Sequence, residues 1–244
     1  MGKQFTKKKR RNARAHATAE IIEFQGSKLE VERLPPPIKA LNPTQADYLD
    51  ALACSPQVVV LGPAGTGKTW IAATHAADLY RSRQISKIIL TRPNVPCGRS
   101  LGFFPGSLED KFAPWVAPVV EAIKDRIGAP AYEIALKRGH IEMVPFQVMR
   151  GRSWKNAFVL LDEAQNTTPA EIKMFLTRVG EDCTVIINGD VSQCDLDEAS
   201  GLHTVLKLIK SQKLPVPVIE FTAADIVRSG LCAMWVRAFA EASL

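Results

Sequence analysis

The stretch QVVVLGPAGTGKTWIAATHAADLYRSR, residues 57–83, decides the fold. Its opening, QVVVLG (57–62), is a continuous β-branched run, the pattern of a strand buried on both faces. Its close, TWIAATHAADLYRSR (69–83), has the apolar spacing of a helix. Between them GPAGTGKT (62–69) matches G-x-x-x-x-G-K-[ST] in the strand–loop–helix setting that gives the motif meaning. Gly62, Gly65 and Gly67 let the backbone fold back, with Pro63, Ala64 and Thr66 completing the loop. Inward-pointing N–H groups at a helix start suit a phosphate chain. Lys68 supplies a point charge for the outer phosphates, and Thr69 a hydroxyl for Mg²⁺.

A second stretch, FVLLDEAQNTTP (158–169), runs four apolar residues into two adjacent carboxylates. Burying like charges in tandem is costly unless a cation meets them. A phosphate-binding loop needs such a carboxylate at a neighbouring strand tip to hold Mg²⁺ or its water shell. Asp162 takes that part, which leaves Glu163 to orient and polarise an attacking water. A third stretch, GDVSQ (189–193), follows the apolar run TVIIN and places Gln193 to touch a terminal phosphate and the water together. Upstream, Asn42-Pro-Thr-Gln45 offers the Gln45 amide to an adenine edge, or else a solvated helix start.

The remaining pattern alternates. Strands are expected over 57–62, 87–92, 141–146, 157–163, 184–190 and 215–222. Helices are expected from about 41, over 69–83, from about 108 to 127, over 133–139, over 169–180 with Gly180 as the stop, and over 201–212 and 231–242. Such alternation implies βαβ units, an α/β fold and a mostly parallel sheet with helices on both faces. Ligands then bind beyond the carboxyl ends of the strands. The expected division is a disordered basic arm (1–20), a lead-in segment (21–39, with a short strand or hairpin at 21–33) and one domain (40–244).

The net charge of +6 belongs to the arm: residues 1–14 hold seven Lys/Arg and no acid, leaving about −1 for the rest. Such an arm either grips phosphate backbones in a salt-dependent way or solubilises. The five cysteines are widely spaced without C-x-x-C, as in reduced cytosolic proteins. The four histidines show no ligand spacing, and no apolar run is long enough for a bilayer. No N-K-x-D guanine motif occurs, and adjacent acids for water activation argue against a kinase.

With Gly62–Thr69, Asp162–Gln165 and Gly189–Gln193 in this order, the chain resembles superfamily 1 helicase cores. The segments 91–111, 148–180, 200–202 and 225–231 resemble the PhoH family of P-loop proteins, in its phage-type or minimal form. The resemblance covers roughly residues 40–244. It implies a single RecA-like P-loop NTPase domain that binds and hydrolyses ATP with Mg²⁺ in the cytoplasm, or host cytoplasm if phage-encoded. It also implies coupling to single-stranded RNA or DNA, with helicase action as one form, and a homo-oligomeric ring, a hexamer by family. The alternative is an ATPase serving as a regulatory or assembly module. The sequence after Gln193 is too short for a second lobe, so an arginine is expected in trans. The candidates are Arg228, then Arg178, with Arg150 and Arg152 behind them. Arg92 and the loop 93–106 stand where strand or coupling contacts are expected. Phe103, Phe104 and Trp115 are read as base-stacking or as core and subunit-contact residues.

Overall fold

The computed structural model describes residues 35–93, 108–196, 199–227 and 234–235, without the side chains of 108–112, 115 and 147. The basic arm, the segment 21–33, nearly all of the loop 93–106 and Arg228 lie outside them, as does most of the expected helix 231–242.

The apolar runs form six strands: β1 (Gln57–Leu61), β2 (Lys87–Thr91), β3 (Ile141–Met143), β4 (Ala157–Leu161), β5 (Thr184–Gly189) and β6 (Val218–Glu220). They make one sheet in the order β3-β2-β4-β5-β1-β6. Every pairing is parallel. Strand β5 separates the loop-bearing β1 from the acid-bearing β4, the RecA-like arrangement. Among the described residues no helix is long and apolar enough to cross a membrane.

Alternate strand residues face opposite sides, so the sheet has two cores. On one side Val58, Val60, Leu90, Phe158 and Leu160 meet three helices: α1 (Pro43–Cys54), α2 (Lys68–Arg81) and α3 (Leu108–Ile127). Helix α4 (Ala129–Lys137) adds Tyr132 and Ala135 to that side. On the other side Val59, Leu61, Val159, Leu161 and Ile187 meet α5 (Pro169–Leu176) and α6 (Gly201–Gln212). Helix α3 runs through Pro114 and Pro118. Each removes a backbone donor, and the buried stripe Val116, Val119, Ile123 and Ile127 holds the helix in place.

Helix starts follow local chemistry. The Asn42 side chain accepts from the Gln45 N–H, with Pro43 in the first turn of α1. Thr168 and Glu171 form a capping box on α5. Ser200 caps α6. Several expected boundaries move. Helix α5 stops at Leu176, and Gly180 is not its stop. Val179 instead bridges Trp154, and the Gly180 N–H bonds the Trp154 carbonyl at 2.9 Å. A Cβ there would lie 2.5 Å from that oxygen, so close approach selects the glycine. Strand β3 ends at Met143 because Pro145 leads into a 3₁₀ turn, Phe146–Val148. Strand β6 is short, since Pro215 and Pro217 lack N–H donors. Helix α4 starts earlier than expected, with Pro130 in its first turn.

Residues 221–227 pack the end of the sheet against the glycine-rich loop 62–69. The Phe221 N–H bonds Leu61 O, and the Val227 N–H bonds Gly65 O. Asp225 ties this segment to α1 by accepting from the Thr44 hydroxyl at 2.9 Å. Its other oxygen accepts from the Thr222 N–H and hydroxyl. The Thr222 backbone bond, with help from the hydroxyls, holds the Asp225 carboxyl below the ordinary carboxylate range. Its stabilisation is therefore complete above that range and is lost as pH falls through the lowered native value. Asp225→Asn lowers Tm at neutral pH, and the gap to wild type closes on acidification. Circular-dichroism melts check this, and a gap of constant size at every pH refutes it.

Candidate functional site

The loop after β1 takes the fold-back that its glycines allow. Gly62, Gly65 and Gly67 have φ of 132°, 88° and 91°. A Cβ on Gly62 would sit 2.4 Å from Phe221 O, so this position needs glycine for space as well as conformation. The Gly62 N–H bonds Gly189 O at 3.1 Å, which ties the loop to the end of β5. The Lys68 amine is folded back onto the carbonyls of Gly62 and Pro63. Thr66 is fully buried and bonds Pro63 O through its hydroxyl.

The sheet brings the acids to this loop. The Thr69 hydroxyl donates to Asp162 Oδ1 at 2.9 Å. The Asp162 N–H bonds Thr91 O, fixing the tip of β4 to that of β2. Burial pushes the Asp162 carboxyl above the ordinary range, and Glu163 beside it adds to the rise. The Thr69 bond, Arg92 and Lys68 pull the other way. Burial lowers the Lys68 pKa, opposed by Asp190, Asp162 and Glu163. The site thus gathers Lys68 and Arg92 with three carboxylates, Asp162, Glu163 and Asp190.

Glu163 stands at φ 54°, ψ 42°, a left-handed conformation that costs about 1–2 kcal/mol for an L-residue. Two groups hold its carboxylate. Arg92 approaches Oε1 at 3.7 Å, and the Gln165 amide donates to Oε2 at 2.6 Å. The Gln165 carbonyl oxygen accepts the Asp190 N–H at 3.0 Å, and its backbone oxygen accepts the Ser200 hydroxyl at 2.7 Å. Gln165 therefore joins the acidic tip of β4 to the tip of β5 and the start of α6. A Cβ on Gly189 would lie 3.0 Å from Gln165 Oε1, so the glycine makes room for this link.

The other expected site residues fall differently. Gln45 is buried against the loop, donating to Thr66 O at 2.9 Å and accepting the Leu41 N–H at 2.8 Å. It shapes the loop, and retains one N–H and one lone pair. Beside it opens a cleft of about 470 Å³ bounded by Pro37, Leu41, Gln45, Gly67, Trp70 and Val227. Gln193 is exposed, its backbone on Asp190 O, and its side chain makes no hydrogen bond to the acids or the loop. Arg152 is paired with Glu142 at 2.9 Å, while Arg150 is exposed and Arg178 half-buried beyond α5. None of these three bonds to the loop or to the acidic pair. Phe103, Phe104, the Trp115 side chain and Arg228 lie outside the described residues.

The sequence reading missed Gln165 and Asp190 as individuals. A glutamine in the polar run AQNTTP looks like turn chemistry, and only the fold shows that it is 2% exposed. Asp190 is 6% exposed, with one carboxylate oxygen bonded to Ser192 and the other unpaired.

The PhoH family profile, described as "PhoH-like protein", matches residues 37–240. The chain belongs to the PhoH family. Protein PhoH of Escherichia coli (strain K12) is 43% identical over 207 residues, covering 83% of this chain and 58% of that protein. The PhoH-like protein of Bacillus subtilis (strain 168) is 45% identical over 197 residues, covering 80% and 61%. The chain thus spans less than two thirds of the length of these curated relatives. Among solved structures, the large terminase from a thermophilic bacteriophage aligns over 82% of this chain and 50% of its own. Its TM-score is 0.49 at 8% identity, too loose a likeness to carry a functional comparison.

The Gln165 link sets an expectation for this PhoH-family site. Gln165→Leu keeps the volume but strands the buried Asp190 N–H, and should cost about 1–3 kcal/mol. Urea unfolding measures the loss, and unchanged stability would remove Gln165 from the framework of the site.

Proposed function

We propose that this chain binds ATP with Mg²⁺ on the loop 62–69 and hydrolyses it, with turnover coupled to a single-stranded nucleic acid. The observation that carries the reading is the Thr69–Asp162 bond at 2.9 Å, with Glu163 next in the chain. A hydroxyl and a carboxylate are hard oxygen donors, the pair that Mg²⁺ takes when phosphates and water complete its shell. No group of three or more His, Cys, Asp or Glu able to hold a metal occurs among the described residues. That fits a cation delivered with its nucleotide, and its chemistry is to neutralise charge on the phosphates.

The chain's own residues then divide the work. The N–H groups of 62–69 cradle the phosphates, and Lys68 moves from its carbonyl partners to the outer phosphates. Glu163, steadied by Gln165 and Arg92, orients a water for in-line attack and takes its proton. The base lies in the cleft between Trp70 and Pro37–Leu41, where the spare N–H and lone pair of Gln45 can meet an adenine edge. Arg92 joins Glu163 to the segment that follows β2 and so offers a route by which a bound strand changes the rate. An arginine from a neighbouring copy completes the charge around the terminal phosphate, and Arg228 remains the first choice for it.

Steady-state hydrolysis by the purified chain tests this, alone and with saturating single-stranded RNA or DNA. Lys68→Ala is expected to abolish turnover. Glu163→Gln is expected to keep ATP binding while losing hydrolysis by about 100-fold or more. Stimulation by a strand supports the coupled enzyme. Robust turnover indifferent to any strand favours the regulatory or assembly module, and normal turnover in Glu163→Gln would falsify the base assignment.

A further inference from the structure

A second cleft, of about 570 Å³, lies away from the phosphate-binding loop. It is bounded by Phe146, Arg150, Ala170, Glu171, Met174 and Arg178. The size falls within the roughly 300–1,000 Å³ range of ligand sites. Its charge is unbalanced. Arg150 and Arg178 have no ion-pair partner among the described residues, unlike Arg152, which is held by Glu142. The one carboxylate in the cleft, Glu171, is engaged by the Thr168 N–H and hydroxyl in capping α5. The Arg178 Nε is buried with no acceptor. A buried donor on a charged group left unsatisfied in this way is destabilising, so an acceptor from outside is what the cleft lacks.

We propose that this cleft binds the phosphodiester backbone of a single-stranded nucleic acid, with Arg150 and Arg178 on the phosphates. The proposal rests on the strand-coupled reading above and gives it a surface. Guanidinium forks suit phosphate oxygens better than a point charge does. Helix α5 carries the wall from Ala170 to Met174, roughly 6 Å at helical rise, and Arg178 continues it beyond the end of the helix. Phe146 and Met174 supply an apolar floor for a base. Phe146 packs on Phe175 at 6.4 Å between ring centroids, and Phe175 packs on Trp154 at 6.2 Å, so that floor is braced from below. The first turn of α5 lines the cleft, and its cap, Thr168, follows the turn that carries Gln165. A strand here therefore presses on the element that steadies Glu163.

The test is fluorescence anisotropy of a labelled oligouridylate across a salt series. The wild type is compared with Arg150→Ala/Arg178→Ala and with Ala170→Glu. Ala170 is exposed in the first turn of α5, where an added acid suits the helix, so the second variant folds even if the first does not. The double variant should bind at least about tenfold more weakly. Its slope of log K against log salt should flatten by about 1.4, since each phosphate no longer neutralised removes about 0.7. Ala170→Glu should weaken binding in the same direction. Folded variants that bind like wild type with an unchanged slope overturn the cleft alone. So does weaker binding with no change in slope, or equal competition by poly-glutamate. A wild type that binds no strand overturns the strand-coupled reading and the cleft with it.

Discussion

One hydrogen bond organises this molecule: the Thr69 hydroxyl on the Asp162 carboxylate. It joins the helix after β1 to the tip of β4, although β5 lies between the two strands. The strand order brings the two together, the tip of β4 lying two strands from the end of β1. Asp162, Glu163 and Asp190 all act on the Lys68 ammonium. Two cations answer these three acids, Lys68 and Arg92, and hydrogen bonds hold the acids as well.

Each acid is held by its own set of partners. Asp162 is held by α2 and by the end of β2. Asp190 is held by Ser192, and its N–H by Gln165. Glu163 is held by Gln165 and Arg92. Gln165 takes part in two of these three sets, and its backbone oxygen reaches Ser200 at the head of α6. A shift of the turn 164–166 would therefore be felt at the tips of two strands and the start of two helices.

The sequence carried most of the fold because its strongest signals are local. Four of the strands are short β-branched or apolar runs buried on both faces, and periodicity alone finds them. The glycine-rich loop and the D-E pair are local too, since each follows directly on an apolar strand run. What the sequence hid was contact across the sheet. Gly180 looks like a helix stop and is instead pressed against Trp154 O. Gln165 looks like part of a polar turn and is instead a buried bridge. Gln45 looks like a base contact, and the fold shows a duty that no local pattern announces, the support of Thr66 O. Gln193 shows the converse case. Its motif is local and legible, yet its side chain lies exposed and makes no hydrogen bond to the acids or the loop among the described residues.

The folded-back Lys68 has a consequence for binding. Its amine already has two carbonyl acceptors, and the loop around it is already shaped by Gln45, Gly189 and Val227. On the proposed reading, a phosphate would meet a loop already shaped, whose lysine must first let go of Gly62 and Pro63. Binding would then be an exchange of acceptors on one amine, and its affinity a difference between two sets of bonds to that amine.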